Sequence, residues 1–269
     1  MGRSGQQVLC VGQATLDHIL DVGALLPGHK HVASSRVSVG GGVAANAAVA
    51  VSRLGGRALF LGCLGADLAG DQVALELVDE DVDVSLVVRR AGAMTPMSCV
   101  IVDGAGDRTI VNHTPVELFD GDGPDMSALR PDAVLVDGRW PAAADEALRR
   151  ARTIDVPSVV DVDRAPSDGD LSVLGLASHL VFSADALASL SGTDDPVAGL
   201  TSVNASTEAI VAVTLGRHGV CWLEGDRVRS LPAFAVEVVD TTAAGDVFHG
   251  AFVLALAERM DLLQAFRFA

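Results

Sequence analysis

From Asp240 the chain reads Asp-Thr-Thr-Ala-Ala-Gly-Asp-Val-Phe-His-Gly, and the apolar run continues to Glu258. Val238 and Val239 read as the end of a strand, and the residues after Gly245 read as a helix. The small residues Ala243, Ala244 and Gly245 would then place backbone N–H groups at a helix N-terminus. Orphan donors and the helix dipole attract an anion such as phosphate there. Asp246 stands in the same first turn. A carboxylate beside an anion-binding turn repels the anion, and general-base chemistry gives it a reason to be there. It can take the proton from a hydroxyl that attacks the bound phosphoryl group. An isolated Asp at this position also reads as a helix cap.

Three further stretches carry chemistry. Gly40-Gly41-Gly42-Val43-Ala44-Ala45-Asn46 opens an Ala-rich helix. Its glycines permit close approach of a ligand to the backbone, and Asn46 offers both a donor and an acceptor to hydroxyl groups. Asp17 follows Gly12 by five residues, at the lip of an apolar strand. Thr214-Leu215-Gly216-Arg217-His218-Gly219 follows another apolar strand and offers a Gly-rich turn. Each is weakly specific alone, and Asp17 also reads as a solvated loop residue.

Taken in order, these stretches resemble the PfkB/ribokinase family of sugar kinases. The family's second signature is Asp-Thr-x-Gly-Ala-Gly-Asp and its first is Gly-Gly-x-x-x-Asn. The resemblance runs from about Val8 to Ala269. It implies ATP and Mg²⁺ as cofactors and transfer of the γ-phosphate to a primary hydroxyl of a sugar. Asp246 would be the base, and Ala243, Ala244 and Gly245 the cradle. Asp17, Gly41, Gly42 and Asn46 would hold the sugar, and Thr214, Gly216 and Gly219 the nucleotide. The chain departs from the family pattern twice. Ala243 stands where Gly is commonest. The usual Asn-x-x-Glu is replaced by Ser183-Ala184-Asp185-Ala186. Asp161 and Asp163, at the end of the preceding strand, could hold a hydrated Mg²⁺ through water, or serve as turn caps. A non-catalytic sugar or nucleotide sensor is the competing class, though sensing needs no base.

The substrate is less legible. Lys30 is the single lysine among 19 Lys and Arg residues. Lys30, Asn112 and Arg139, from three loops, would bind an anionic tail on the sugar. Their local patterns, with Asp-Val-Phe-His-Gly-Ala, look most like the sulfofructose kinases of the family. A neutral ketose or ribose is the alternative, and Lys30 also reads as a surface lysine.

The elements that position these residues follow from periodicity. Apolar runs at 8–12, 58–64, 133–136, 158–162, 179–182 and 210–214 alternate with helical patterns at 42–54, 71–81 and 142–152, from near 184 and from near 245. That order predicts an α/β fold with a mostly parallel central sheet and helices on both faces. Ligands collect at the carboxyl ends of such strands, here after Val11, Val136, Val160, Val213 and Val239. Hairpins are predicted at 98–112 and 220–231. Segments 14–39 and 95–115 break the alternation and look β-rich. The resemblance makes them a small β lid on a single ribokinase-like domain over 1–269, with a homodimer formed through the lid. Family members usually continue beyond the position of Ala269, so the C-terminal end is expected to be incomplete.

Composition excludes other classes. Of 269 residues, 49% are hydrophobic and only 4% aromatic, so Val, Leu and Ala build the core. A formal charge of −16 gives no basic surplus for nucleic acid or an anionic membrane. No apolar stretch approaches the roughly 18 residues of a spanning helix. Cys10, Cys63, Cys99 and Cys221 are scattered, as in a reduced cytoplasmic protein rather than a disulfide framework or zinc site.

Overall fold

The apolar runs of the sequence become the inner strands of one sheet in the computed structural model, which describes residues 5–164 and 174–269. In chain order the elements are β1 (Gln7–Val11), β2 (Thr15–Asp21), β3 (Ser35–Gly41), α1 (Val43–Arg53), β4 (Arg57–Leu61), β5 (Cys63–Gly65), α2 (Leu68–Asp79), β6 (Val88–Arg90), β7 (Met97–Val102), β8 (Arg108–His113), β9 (Ala133–Val136) and α3 (Pro141–Thr153). They continue with β10 (Ser158–Val162), β11 (His179–Ser183), α4 (Ala184–Ser191), α5 (Pro196–Asn204), β12 (Ile210–Thr214), β13 (Val220–Glu224), β14 (Arg227–Leu231), α6 (Ala244–Ala257) and α7 (Leu262–Phe268).

Eight strands form the main sheet, in the order β14-β13-β12-β11-β10-β9-β1-β4. The six from β12 to β4 are parallel, and β13 and β14 close one edge as antiparallel strands. Val8 and Cys10 face one way, into a core shared with α1 and α6. Leu9 and Val11 face the other way, toward α3 and α4. Burial on both faces explains why these strands read as continuous apolar runs rather than alternating ones. The result is the expected three-layer α/β arrangement.

The two segments that broke the alternation pair with each other. β3, β2, β7 and β8 form a separate four-stranded sheet in that order. The β7–β8 turn is fixed by Asp103, whose Oδ1 accepts from the N–H groups of Ala105 and Asp107.

Three expectations about elements need correction. Val238 and Val239 end no strand: residues 232–239 are irregular, and Phe234, Val236, Val238 and Val239 are exposed. Pro232 follows β14, already an edge strand, so the chain leaves the sheet there. The helix predicted from 71 begins at Leu68, because Asp67 caps it by accepting from Gly70 N–H at 2.8 Å. The strand predicted over 58–64 is split at Gly62 into β4 and β5, and β5 pairs with β6 instead of joining the main sheet.

Helix α6 is nearly all apolar because it packs on the sheet with α1 and α7 against its sides. At Gly250 the two helices approach so closely that a Cβ would sit 2.5 Å from the Ala47 carbonyl oxygen. That contact, one turn beyond Asp246 on α6 and next to Asn46 on α1, brings the two predicted signatures together. Among the described residues no helix is long and apolar enough to cross a membrane.

Candidate active site

Asn46 and Asp246, 200 residues apart, meet in the structure. Asn46 Nδ2 donates to Asp246 Oδ2 at 2.7 Å. The Asp246 carboxyl is raised to about 6, chiefly by burial and against the Asn46 hydrogen bond. The charges of Asp161 and Asp163 add to the rise, and His249 opposes it. A carboxyl near 6 is ionised at neutral pH yet still has appreciable proton affinity, which suits a general base.

Ala243 is the N-cap of α6 and stands in the left-handed region, with φ +57°. A side chain is strained there, which is the physical reason that Gly suits this position. Ala244 N–H donates to the Thr241 carbonyl at 3.2 Å, so one of the three predicted cradle amides is already used in the turn. Before the cradle, Asp240 Oδ1 accepts from Thr242 N–H and from Arg108 Nη2 of β8, at 2.8 and 2.6 Å. The Thr242 N–H leads in holding the Asp240 carboxyl down at about 2. The four-stranded sheet is thereby joined to the loop that leads into the first turn of α6.

The Gly-rich turn is anchored by a residue that sequence reasoning passed over. Asp137, at the end of β9, accepts from Gln13 N–H at 2.7 Å, Ala44 N–H at 3.2 Å and Arg139 N–H at 2.9 Å. It thus ties the β1 exit to the first turn of α1. Burial pushes its carboxyl up to about 6 despite these donors. Gly42, the N-cap of α1, has φ +101°, and a Cβ there would lie 2.6 Å from the Gln13 carbonyl oxygen. The signal for Asp137 was available: a lone carboxylate directly at a predicted strand end.

Asp17 lies on the lid in one cross-strand row with Val39, Ser98 and Asn112. Paired residues of neighbouring strands point to one face, so Asp17, Ser98 and Asn112 present polar groups side by side. Arg108 lies on the same face, two strand repeats farther along. That face is the one turned toward the Asp240 loop. Thr15 Oγ1 donates to Asp17 Oδ1 at 2.9 Å, and Gly41 sits directly against the Asp17 carboxylate. Lys30 is exposed on the 22–34 loop and forms no ion pair among the described residues. Arg139 is bound to Asp163 by a short ion pair. The proposed clamp of Lys30, Asn112 and Arg139 therefore has Arg139 already occupied.

The two carboxylates predicted near the metal differ in environment. Asp163 is partly exposed, at 39%, and paired with Arg139. Asp161 is buried, and its Oδ2 lies 3.0 Å from His249 Nδ1 of α6. Among the described residues no group of three His, Cys, Asp or Glu side chains could hold a metal by itself. Ser183, where the family carries Asn, caps α4 by accepting from Ala186 N–H at 3.1 Å. His249 was read only as part of a local pattern. The signal it gave was a polar residue inside an otherwise apolar helix.

At the end of β12, Thr214 Oγ1 donates to the Phe182 carbonyl at 3.3 Å. Gly216 and Gly219 follow in a tight turn closed by Leu215 N–H to Gly219 O at 2.7 Å. Gly219 abuts the backbone of Leu231 and Ala233, where the exposed apolar segment 232–239 begins. A cleft of about 650 Å³ opens beside the Asn46–Asp246 contact, bounded by Gly41, Asn46, Thr242 and Ala243 and running along α1 to Arg53. Asp17 and Asp246 do not line it, so it adjoins these two carboxylates rather than enclosing them.

Residues 6–269 match the pfkB family carbohydrate kinase profile. A ribokinase of Haemophilus influenzae is 28% identical over 274 residues, covering 96% of this chain and 88% of that protein. A fructokinase of Klebsiella pneumoniae is 34% identical over 244 residues, covering 81% and 76%. A crystal structure provisionally named a ribokinase, from Agrobacterium tumefaciens, superposes with a TM-score of 0.92 at 36% identity. It covers 98% of this chain and 88% of that one.

Proposed function

The chain belongs to the pfkB family of carbohydrate kinases, and from that premise we propose that it transfers the γ-phosphate of ATP to a primary hydroxyl of a small sugar. The observation that carries this reading is the Asn46–Asp246 contact at the N-terminus of α6. It sets a proton acceptor beside backbone donors suited to an anion.

In this reading Asp17, Ser98, Asn112 and the Gly41–Gly42 backbone orient the sugar hydroxyls. Asn46 holds the Asp246 carboxylate toward the reacting hydroxyl, and Asp246 accepts its proton as the O–P bond forms. First-turn N–H groups of α6 receive the charge on the transferring phosphoryl oxygens, where fixed donors cost little reorganisation. The turn at Gly216 and Gly219, with the exposed apolar side chains from Phe234 to Val239, offers a surface for the nucleotide. Mg²⁺, when bound, neutralises charge on the phosphates. It keeps most of its waters, so one accessible carboxylate in the outer sphere suits it. Asp163 has that access, while the Asp161 carboxylate is enclosed with His249.

Ribokinases and fructokinases among the relatives, and a row of Asp17, Ser98 and Asn112 whose one charged member is an anion, favour a neutral pentose or ketohexose. Lys30, exposed and without an ion pair among the described residues, favours a second reading, an anionic ketose such as sulfofructose. One phosphotransfer panel with ATP separates these readings, with ribose, fructose, fructose 6-phosphate and sulfofructose as acceptors. The neutral reading predicts the highest kcat/KM with ribose or fructose and no response to Lys30→Ala. The anionic reading predicts preference for a charged ketose and a KM rise of roughly tenfold or more in Lys30→Ala. ADP release with none of the sugars would contradict both and favour a sensor. The same reading pairs two copies through the lid, whose Val37 and Ile110 lie exposed. A monomer at all concentrations in sedimentation equilibrium would contradict that pairing.

A further inference from the structure

His249 is buried one turn along α6 from Gly245, and nothing in the phosphotransfer chemistry above uses it. Its side chain is 4% exposed. Nδ1 lies 2.7 Å from the Gly245 carbonyl oxygen and 3.0 Å from Asp161 Oδ2. Both neighbours are acceptors, so Nδ1 carries a hydrogen and shares it between them. Nε2 is buried with no hydrogen-bond partner among the described residues. A buried histidine with an unsatisfied nitrogen is costly to keep for packing alone, since an apolar side chain of similar size would leave no orphaned group. The contacts made by Nδ1 must therefore do something an apolar residue could not.

Those contacts join two places that matter. Gly245 precedes Asp246 in the first turn of α6, where the N–H groups have no intrahelical acceptor and Gly adds no side chain to restrain the backbone. Asp161 is the penultimate residue of β10 in the rigid central sheet, paired in register with Val181 of β11. The imidazole spans from the sheet to the first turn of α6, the turn that carries Asp246. Ring contacts hold it in place, with Phe248 edge-on at 5.7 Å.

We propose that His249 is a positioning residue: with Asp161 it clamps the first turn of α6 to the end of β10, fixing the carboxylate of Asp246 and the anion-binding amides relative to each other. The clamp acts in the chemical step, because a misaligned base or cradle reduces transition-state stabilisation more than ground-state binding.

The inference rests on the kinase reading for its activity readout, so the test carries a second readout that does not. His249→Leu removes the donor, and His249→Asn keeps an amide donor near the Nδ1 position. In His249→Leu, kcat should fall by about tenfold or more, the scale of a lost supporting contact. KM for sugar and for ATP should change less than about threefold. His249→Asn should recover kcat to within about threefold of wild type. Hydrogen exchange of peptides spanning 240–251 should quicken in the Leu variant and return toward wild type in the Asn variant. If His249→Leu does not fold, Asp161→Asn, which keeps His249 and weakens its acceptor, should give the same kcat loss and faster exchange. Wild-type kcat and wild-type exchange in a folded variant overturn the proposal, as does equal impairment by Leu and Asn. Faster exchange in a chain with no kinase activity toward any sugar would leave the clamp standing and overturn the kinase reading instead.

Discussion

Asn46 Nδ2 donates to Asp246 Oδ2 at 2.7 Å, joining the first turns of two helices that are 200 residues apart in sequence. The bond favours the ionised carboxylate and so lowers its pKa against the burial that raises it. Asn46→Ala removes the donor, and the Asp246 pKa should then climb above about 6. The acid limb of kcat/KM should move to higher pH. Activity at pH 6 should therefore fall by a larger factor than activity at pH 8. A pH–rate profile of the variant checks this, and an unshifted acid limb would contradict it.

Asp246 also has a stability consequence. Its folded pKa of about 6 lies above the usual carboxylate value near 4. Between those values the folded state binds the proton more tightly than the unfolded state, so this group's contribution to stability falls as pH rises from about 4 to about 6 and stays reduced above. Asp246→Asn removes that loss. The variant should be more stable than wild type at pH 7, by roughly 1 kcal/mol once partial solvent exposure is allowed for, and the difference should vanish near pH 4. Urea unfolding at pH 4 and pH 7 measures both. A variant less stable than wild type at pH 7 would contradict the sign.

Ala243 holds a left-handed backbone at the N-cap of α6. Ala243→Gly relieves strain of about 1 kcal/mol and loses a similar amount through the freer unfolded chain, so stability and kcat should stay close to wild type. Ala243→Val places a β-branched side chain at positive φ. It should lower stability by more than about 1 kcal/mol and reduce kcat. Thermal unfolding and kinetics of the pair test this, and a Val variant matching wild type would contradict the assigned backbone.

Asp163 should set the Mg²⁺ requirement. Asp163→Asn should raise the Mg²⁺ concentration for half-maximal rate at saturating ATP and sugar, because an outer-sphere carboxylate is lost. Titration of MgCl₂ against rate decides it. An unchanged midpoint would leave Asp163 with only its ion pair to Arg139.

Much of the fold was legible because the six parallel strands, largely buried, are mostly apolar runs, and because both signatures set small residues at a helix start. The four-stranded second sheet was legible by the failure of its two segments to alternate. The 232–239 segment misled because Phe234, Val236 and Val238 alternate like a strand, while Pro232 turns the chain away from the sheet edge. Asn46, Asp246 and Asp17 stand out by type and spacing. Asp137 and His249 did not, because their roles depend on partners distant in sequence: the Gln13 and Ala44 amides in one case, Asp161 in the other. The Arg139–Asp163 pair was likewise invisible, since two residues assigned separate tasks turned out to face each other.

The central claim is that Asp246 removes the proton from the attacking hydroxyl. The direct measurement is kcat of Asp246→Asn with the best sugar of the panel, beside its ATP affinity by calorimetry. The account predicts a fall in kcat of about 10²–10⁴-fold with ATP affinity and fold preserved, the usual scale for a positioned base. A folded variant with kcat near that of wild type would contradict it.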